Sequence, residues 1–126
     1  MPHKFAAIAA IAAAGCAIAG AASLARADGD AARGAQVYER CQACHSPDAD
    51  RVGPRHRGVV GRKAGSISGF AYSTALKNAG FVWTEERLDC WLADPQKLVP
   101  GQRMGFRLND PRERADVIAY LRTLTP

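Results

Sequence analysis

Cys41-Gln42-Ala43-Cys44-His45 constrains this chain more than any other stretch. Two thiols two residues apart, followed at once by a histidine, form the pattern of covalent haem attachment. On one turn of helix the thiols reach the two vinyl groups along one porphyrin edge. The next side chain then points an imidazole at the iron from one face. Two other chemistries share part of the pattern, since a bare Cys-x-x-Cys also serves as a dithiol pair or as half of a zinc site. A thioredoxin-like pair sits between a strand and a helix, whereas here the preceding segment reads as helix and the following one as loop. Zinc needs a second ligand pair, and Cys90 and His56 each stand alone. Haem attachment through Cys41, Cys44 and His45 therefore explains the pattern best.

The first residues bear on the compartment. Lys4 precedes an alanine-rich apolar run from Phe5 to about Leu24, and Ala25-Arg26-Ala27 offers small residues at a cleavage site. This is the form of a secretory signal peptide, residues 1–27, whose removal leaves one small domain, 28–126. A membrane anchor is the alternative, disfavoured because Ala and Gly are weakly apolar and a processing site follows. Ala13-Ala14-Gly15-Cys16 loosely resembles a lipoprotein box but lacks its usual leucine. The expected location is periplasmic, with an uncleaved segment or a lipidated Cys16 as the alternatives. The formal net charge of +5 does not argue for nucleic acid, because the basic residues are scattered singly.

A domain this small buries only about 65% of the surface its unfolded chain exposes. The pattern of the mature part predicts an all-α fold of about four helices. The first runs from Asp30, as N-cap, to the haem cysteines, with Gly34, Val37, Tyr38 and Cys41 on one face. Residues 46–69 read as a loop rich in Gly and Pro, long enough to suggest that it wraps something. A short helix follows from Ser73 to Asn78-Ala79, with Gly80 as its stop. Another starts at Thr84, turns Leu88, Trp91 and Leu92 inward and ends before Pro95. The last opens with Asp110-Pro111, where Glu113 can close a capping box on Asp110, and carries a stripe of Val117, Tyr120, Leu121 and Leu124. No strand pattern stands out.

One imidazole leaves the iron's sixth position to another group. Of the two methionines, Met1 leaves with the leader. Met104 remains, in the irregular run Pro100-Gly101-Gln102-Arg103-Met104-Gly105-Phe106. A filler methionine belongs on a helix stripe, so a lone one in a Pro/Gly loop of a haem protein reads as a ligand rather than as a packed loop residue.

With these motifs in order, the mature chain resembles a small bacterial class I cytochrome c of the mitochondrial type. The resemblance rests on Gly34 and Tyr38 before the haem motif, and on Gly53-Pro54, Gly58 and Gly61-Arg62 after it. It continues through Gly69-Phe70-Ala71-Tyr72, Lys77-Asn78-Ala79-Gly80, Trp83, the Pro100-Gly101 to Met104 loop and the final helix with Tyr120. It implies one haem c, bound by Cys41 and Cys44 and ligated by His45 and Met104. It also implies a bond from His45 to the Pro54 carbonyl, and propionate contacts from Tyr72, Trp83 and Arg62. Trp91 stands where the family often has Tyr, and Leu76 where it often has Asn. That substitution pattern predicts a drier methionine side. His56 replaces a usual leucine and reads as an exposed histidine, the alternative being a pH-sensitive haem neighbour. Cys90 is left without a partner, as an inert residue or as the thiol of a disulfide dimer.

A haem with both axial positions filled by protein has one-electron transfer left to do. The expected function is a one-electron carrier, not an enzyme. It would exchange electrons with a membrane oxidoreductase or a periplasmic dehydrogenase or oxidase, bind no nucleic acid and no small-molecule substrate, and be monomeric. Arg40, Arg55, Arg57, Lys63, Lys97 and Arg103 are candidates to ring the exposed haem edge. The rival functions are an enzyme or gas sensor with Met104 off the iron, and a cytochrome fixed as a subunit in a complex.

Overall fold

The computed structural model describes Cys16 and residues 28–126, so the expected signal peptide lies, apart from Cys16, outside the described residues. The domain is helical. Helix α1 spans Ala31–Tyr38 and tightens into a 3-10 turn over Glu39–Cys41. Then come α2 (Thr74–Lys77), α3 (Glu85–Ala93), α4 (Pro95–Leu98) and α5 (Pro111–Thr123). No strand forms among the described residues, and a single antiparallel bridge pairs Lys63 with Val82.

Local chemistry sets the helix starts. Asp30, Ser73, Thr84 and Asp110 each cap a first turn, their side chains accepting from the N–H of Arg33, Leu76, Arg87 and Arg112. The expected capping box on α5 is not made. Glu113 turns outward to pair with Arg40 at 2.7 Å, where a full opposite charge is within reach. Helix α4 is an addition to the expected set. Pro95 ends α3 and also occupies the first position of α4, whose N-cap Asp94 accepts from the Lys97 N–H.

Helices α1 and α5 form the most extensive pairing in the fold. Gly34 makes that possible, because a Cβ there would overlap the backbone carbonyl of Asp116. Asp116, buried on α5, accepts from the Asp30 N–H at 2.7 Å and from Arg33 Nε at 3.1 Å. Tyr38 and Tyr120 pack ring to ring at 5.0 Å across the same crossing. A second tie joins α3 to α5, with Arg114 Nε donating to Asp89 at 2.9 Å while its NH1 serves the carbonyls of Leu108 and Asn109. The apolar core of Leu88, Leu92, Val99, Leu108, Val117 and Leu121 fills the space between these helices and one side of a central cavity.

Two loops close that cavity. Residues 46–62 fold back on the haem motif through Gly53 N–H to Cys44 O (2.8 Å), His56 N–H to Ser46 O (3.1 Å) and Arg57 N–H to Pro47 O (2.8 Å). The segment from 99 to 109 covers the other side and is tied to α3 by Leu108 N–H to Leu92 O at 2.8 Å. Cys90, expected to be unpaired, lies against Cys16, with Cα atoms 6.2 Å apart. Cleavage after Ala27 would remove that partner and leave Cys90 a thiol. Among the described residues no helix is long and apolar enough to cross a membrane.

Candidate functional site

The cavity has a volume of about 460 Å³ and a largely apolar lining. That is within the range of cofactor pockets, and the few polar groups converge on it as such pockets require. Cys41, Cys44, His45, Pro54, Arg62, Tyr72, Trp83, Trp91 and Met104 all line it. They come from the Cys41–His45 turn, the 46–62 loop, the stretches that flank α2, α3 and the 99–109 segment.

The cysteines are free thiols, Cys41 half-buried and Cys44 exposed at the cavity edge. Their turn is set by Cys44 N–H and His45 N–H both donating to Cys41 O, at 3.1 and 2.9 Å. His45 is oriented three ways. Its Nδ1 lies 2.8 Å from Pro54 O and donates to it, since a carbonyl can only accept. That fixes the tautomer and leaves the Nε2 lone pair for a ligand. Gly53 lies flush against the ring, where a Cβ would overlap Cε1. Burial, only partly offset by the Pro54 bond, holds the His45 pKa below its usual value, so the ring is neutral and able to coordinate.

The third contact corrects the reading of His56. It is not an exposed histidine. Its ring stacks on His45, with centroids 4.0 Å apart and planes 22° off parallel. Its Nδ1 is 2.9 Å from the Tyr38 hydroxyl, which comes from α1. Burial, with His45 and Arg62 alongside, pushes its pKa down to about 3. Burial likewise pushes the Tyr38 phenol up. Both groups are therefore neutral around pH 7, and one part-buried hydrogen bond joins them.

On another wall stand donors without protein acceptors. Arg62 gives NH1 to Arg57 O and NH2 to Arg55 O, at 3.2 and 2.8 Å, yet it pairs with no carboxylate among the described residues. Burial lowers its pKa. Tyr72 Oη accepts from the Ile67 N–H at 3.1 Å, which leaves its own hydrogen to donate. Trp83 and Trp91 meet edge to face, with centroids 5.2 Å apart. A cation and several neutral donors facing an apolar cavity fit a large flat ligand that carries carboxylates. Among the described residues no three His, Cys, Asp or Glu cluster as a metal site, which leaves the zinc alternative without ligands.

Met104 lies on the wall of the 99–109 segment. Beside it is a residue that the sequence reading passed over. Gln102 is buried to 4% exposure and bonds both backbone groups of Met104. The mouth of the cavity is also more apolar than charge counting suggested. Val52 (79% exposed) and Phe106 (38%) both line it. Of the six basic residues expected around the haem edge, Arg40 and Arg103 line the cavity itself. Arg55 and Arg57 are instead paired with Asp50 and Asp48.

A cavity of this kind, entered by a Cys-x-x-Cys-His turn and faced by a loop methionine, defines a covalent haem protein of the small helical class. The family model for cytochrome c matches residues 31–125, and the chain belongs to that family. It is 50% identical over 99 residues to cytochrome c2 of Rhodomicrobium vannielii, a match that covers 75% of this chain and 79% of that protein. Among solved structures it is similar to cytochrome cH from Methylobacterium extorquens, at 48% identity and a TM-score of 0.73, with 75% of this chain and 99% of that one covered. Ferricytochrome c2 from Rhodopseudomonas palustris is 41% identical with a TM-score of 0.70, over 75% of this chain and 98% of that one.

Proposed function

We propose that this chain is an exported one-electron carrier holding one haem c, attached through Cys41 and Cys44 and ligated by His45 and Met104. The observation that carries the reading is the His45 geometry. Its Nδ1–H is committed to Pro54 O, which leaves Nε2 free in a cavity that Met104 also lines. When bound, the haem supplies reversible ferric–ferrous chemistry, at a potential that methionine ligation raises.

The chain's own residues do the rest. Pro54, Gly53 and His56 hold the His45 imidazole in one orientation. Arg62, Tyr72 and Trp83 offer their free donors to the propionates, so that two carboxylates can be enclosed at tolerable cost. Leu76, Trp91 and Leu92 exclude water on the side of Met104. Held by both His45 and Met104, the haem would offer a substrate no open position, and the exposed Cys44 edge of the cavity would be where electrons are exchanged. There Val52 and Phe106 give exposed apolar surface, and Arg103, together with Arg40 in its pair with Glu113, lines the same cavity. Such a rim suits brief docking of an acidic redox partner, whose association should slow as salt rises.

Optical spectra test the reading. The matured protein is expected to be low-spin in both states, to show the near-infrared thioether-to-ferric band and to ignore carbon monoxide. A high-spin spectrum or ready carbon monoxide binding would overturn it in favour of an enzyme or sensor. Export is tested separately by the mass of the mature N-terminus. Asp28 is expected there, and a lipidated Cys16 would replace the free periplasmic carrier with an anchored one.

A further inference from the structure

Met104 is held by one side chain. Its N–H donates to Gln102 Oε1 at 2.6 Å, and its carbonyl accepts from Gln102 Nε2 at 2.8 Å. Among the described residues no backbone–backbone hydrogen bond reaches Met104. One amide therefore satisfies both of its main-chain groups, and only one orientation of that amide does so. Gln102 is fixed in turn. Gln96, on α4, donates from Nε2 to Gln102 O at 2.8 Å and accepts the Gly101 N–H on Oε1 at 3.1 Å. Gly101 makes the turn between them with φ of 91°, a conformation that favours glycine.

The two glutamines form a chain of amides from a helix to the methionine. Gln96 is exposed, whereas Gln102 lines the cavity. The segment they hold has few other ties, as Arg103 reaches only Ala71 O at 3.3 Å, from an exposed position. We propose that Gln102 is a positioning residue that presents Met104 to the iron and keeps competing ligands out, with Gln96 positioning Gln102. The inference rests on the reading of Met104 as an iron ligand.

A thioether is a weak donor to ferric iron, so its retention depends on how little the loop must be ordered to bring it back. Without the amide, the Met104 backbone gains freedom when the sulfur leaves, and an external ligand competes better. Imidazole titrated into the ferric protein reads this directly. It replaces the Met104 sulfur as one neutral two-electron donor for another, with no change in oxidation state. Gln102→Ala is expected to bind imidazole roughly tenfold more tightly, the worth of about one such hydrogen bond. Gln96→Ala is expected to bind it roughly threefold more tightly, through a loosened Gln102.

Ile118→Val, in the core on α5 and away from the cavity, separates positioning from general stability. It is expected to lower the unfolding temperature and leave imidazole affinity unchanged. Wild-type affinity in folded Gln102→Ala would overturn the proposal, as would an equal rise in Ile118→Val. Should Gln102→Ala fail to mature, Gln96→Ala decides alone, and wild-type affinity there overturns it. Absence of the near-infrared thioether band in the wild-type protein would instead sink the Met104 assignment itself, and the proposal with it.

Discussion

The two walls of the cavity are built differently. On the His45 side the imidazole is enclosed by a backbone carbonyl, a glycine and a stacked ring, with no slack around it. On the Met104 side the main chain hangs from two side-chain amides in a segment with few backbone bonds. The contrast follows from chain order. His45 adjoins the thiols and arrives at the site with them, so the fold has only to orient it. Met104 comes from far along the chain and, as the proposed second ligand, would have to be delivered and then retained. The first wall is therefore steric and stiff, the second polar and releasable.

The largest test of that contrast removes each proposed ligand in turn. His45→Ala takes away the group around which residues 46–62 close, and it is expected to yield little stably folded protein with attached haem. Met104→Ala leaves the first wall intact. It is expected to mature and keep its helical circular dichroism, to become high-spin and to bind carbon monoxide. If both variants fail to mature, or both mature equally, the walls do not differ as described.

A milder test adds one methyl group to each wall. Gly53→Ala drives a Cβ into the His45 ring, whereas a Cβ at Gly105 meets nothing within 4 Å. Overpacking at a site with no room is expected to cost about 1–3 kcal/mol, and the open site within about 0.5 kcal/mol. Denaturant unfolding of the two alanine variants compares them directly. Next in size is the pair behind His45. Tyr38→Phe is expected to cost about 1–2 kcal/mol, because it leaves the His56 Nδ1 without its partner. His56→Leu should remove most of that penalty when the two are combined. Additive losses in the double-mutant cycle would mean that Tyr38 and His56 do not act as a pair.

The sequence made much of this legible, for physical reasons. Helix starts were readable because each cap is local: Asp30, Ser73, Thr84 and Asp110 bond N–H groups within their own first turns. The face of α1 that carries Gly34 and Tyr38 was readable from its spacing, and it is the face that α5 packs against. Helix α4 was missed although Asp94-Pro95 repeats the Asp110-Pro111 signal, because Pro95 had been assigned to ending α3. His56 was misread because nothing local decides its burial. Its partners are a tyrosine on α1 and a ring across the loop, and a histidine between two arginines reads as solvated. Gln102 was passed over for the same reason, since only the folded cavity shows that a glutamine in a polar loop is buried. Asp48 and Asp50, close to Arg57 and Arg55 in sequence, pair with those charges, which a count of basic residues alone does not show.

The smallest expected effect lies behind the stiff wall, where α5 meets the start of α1. The Arg33 guanidinium and the Asp30 N–H hold the Asp116 carboxyl below the usual carboxylate range. A carboxylate depressed in the folded state binds fewer protons there than in the unfolded chain. Its contribution is thus fully present above the unfolded value, about 3.9, and is lost as pH falls through the lower folded one. Asp116→Asn is expected to lower the unfolding temperature by about 5 °C at pH 7. The wild-type and variant curves should converge as the pH drops below the carboxylate range. Because Asp116 does not line the cavity, the midpoint potential is expected to stay where it was. A potential that moved with the unfolding temperature would mean that strain at the α1–α5 crossing reaches His45 through Tyr38 and His56. In that case the His45 wall would be less stiff than the contrast with the Met104 wall requires.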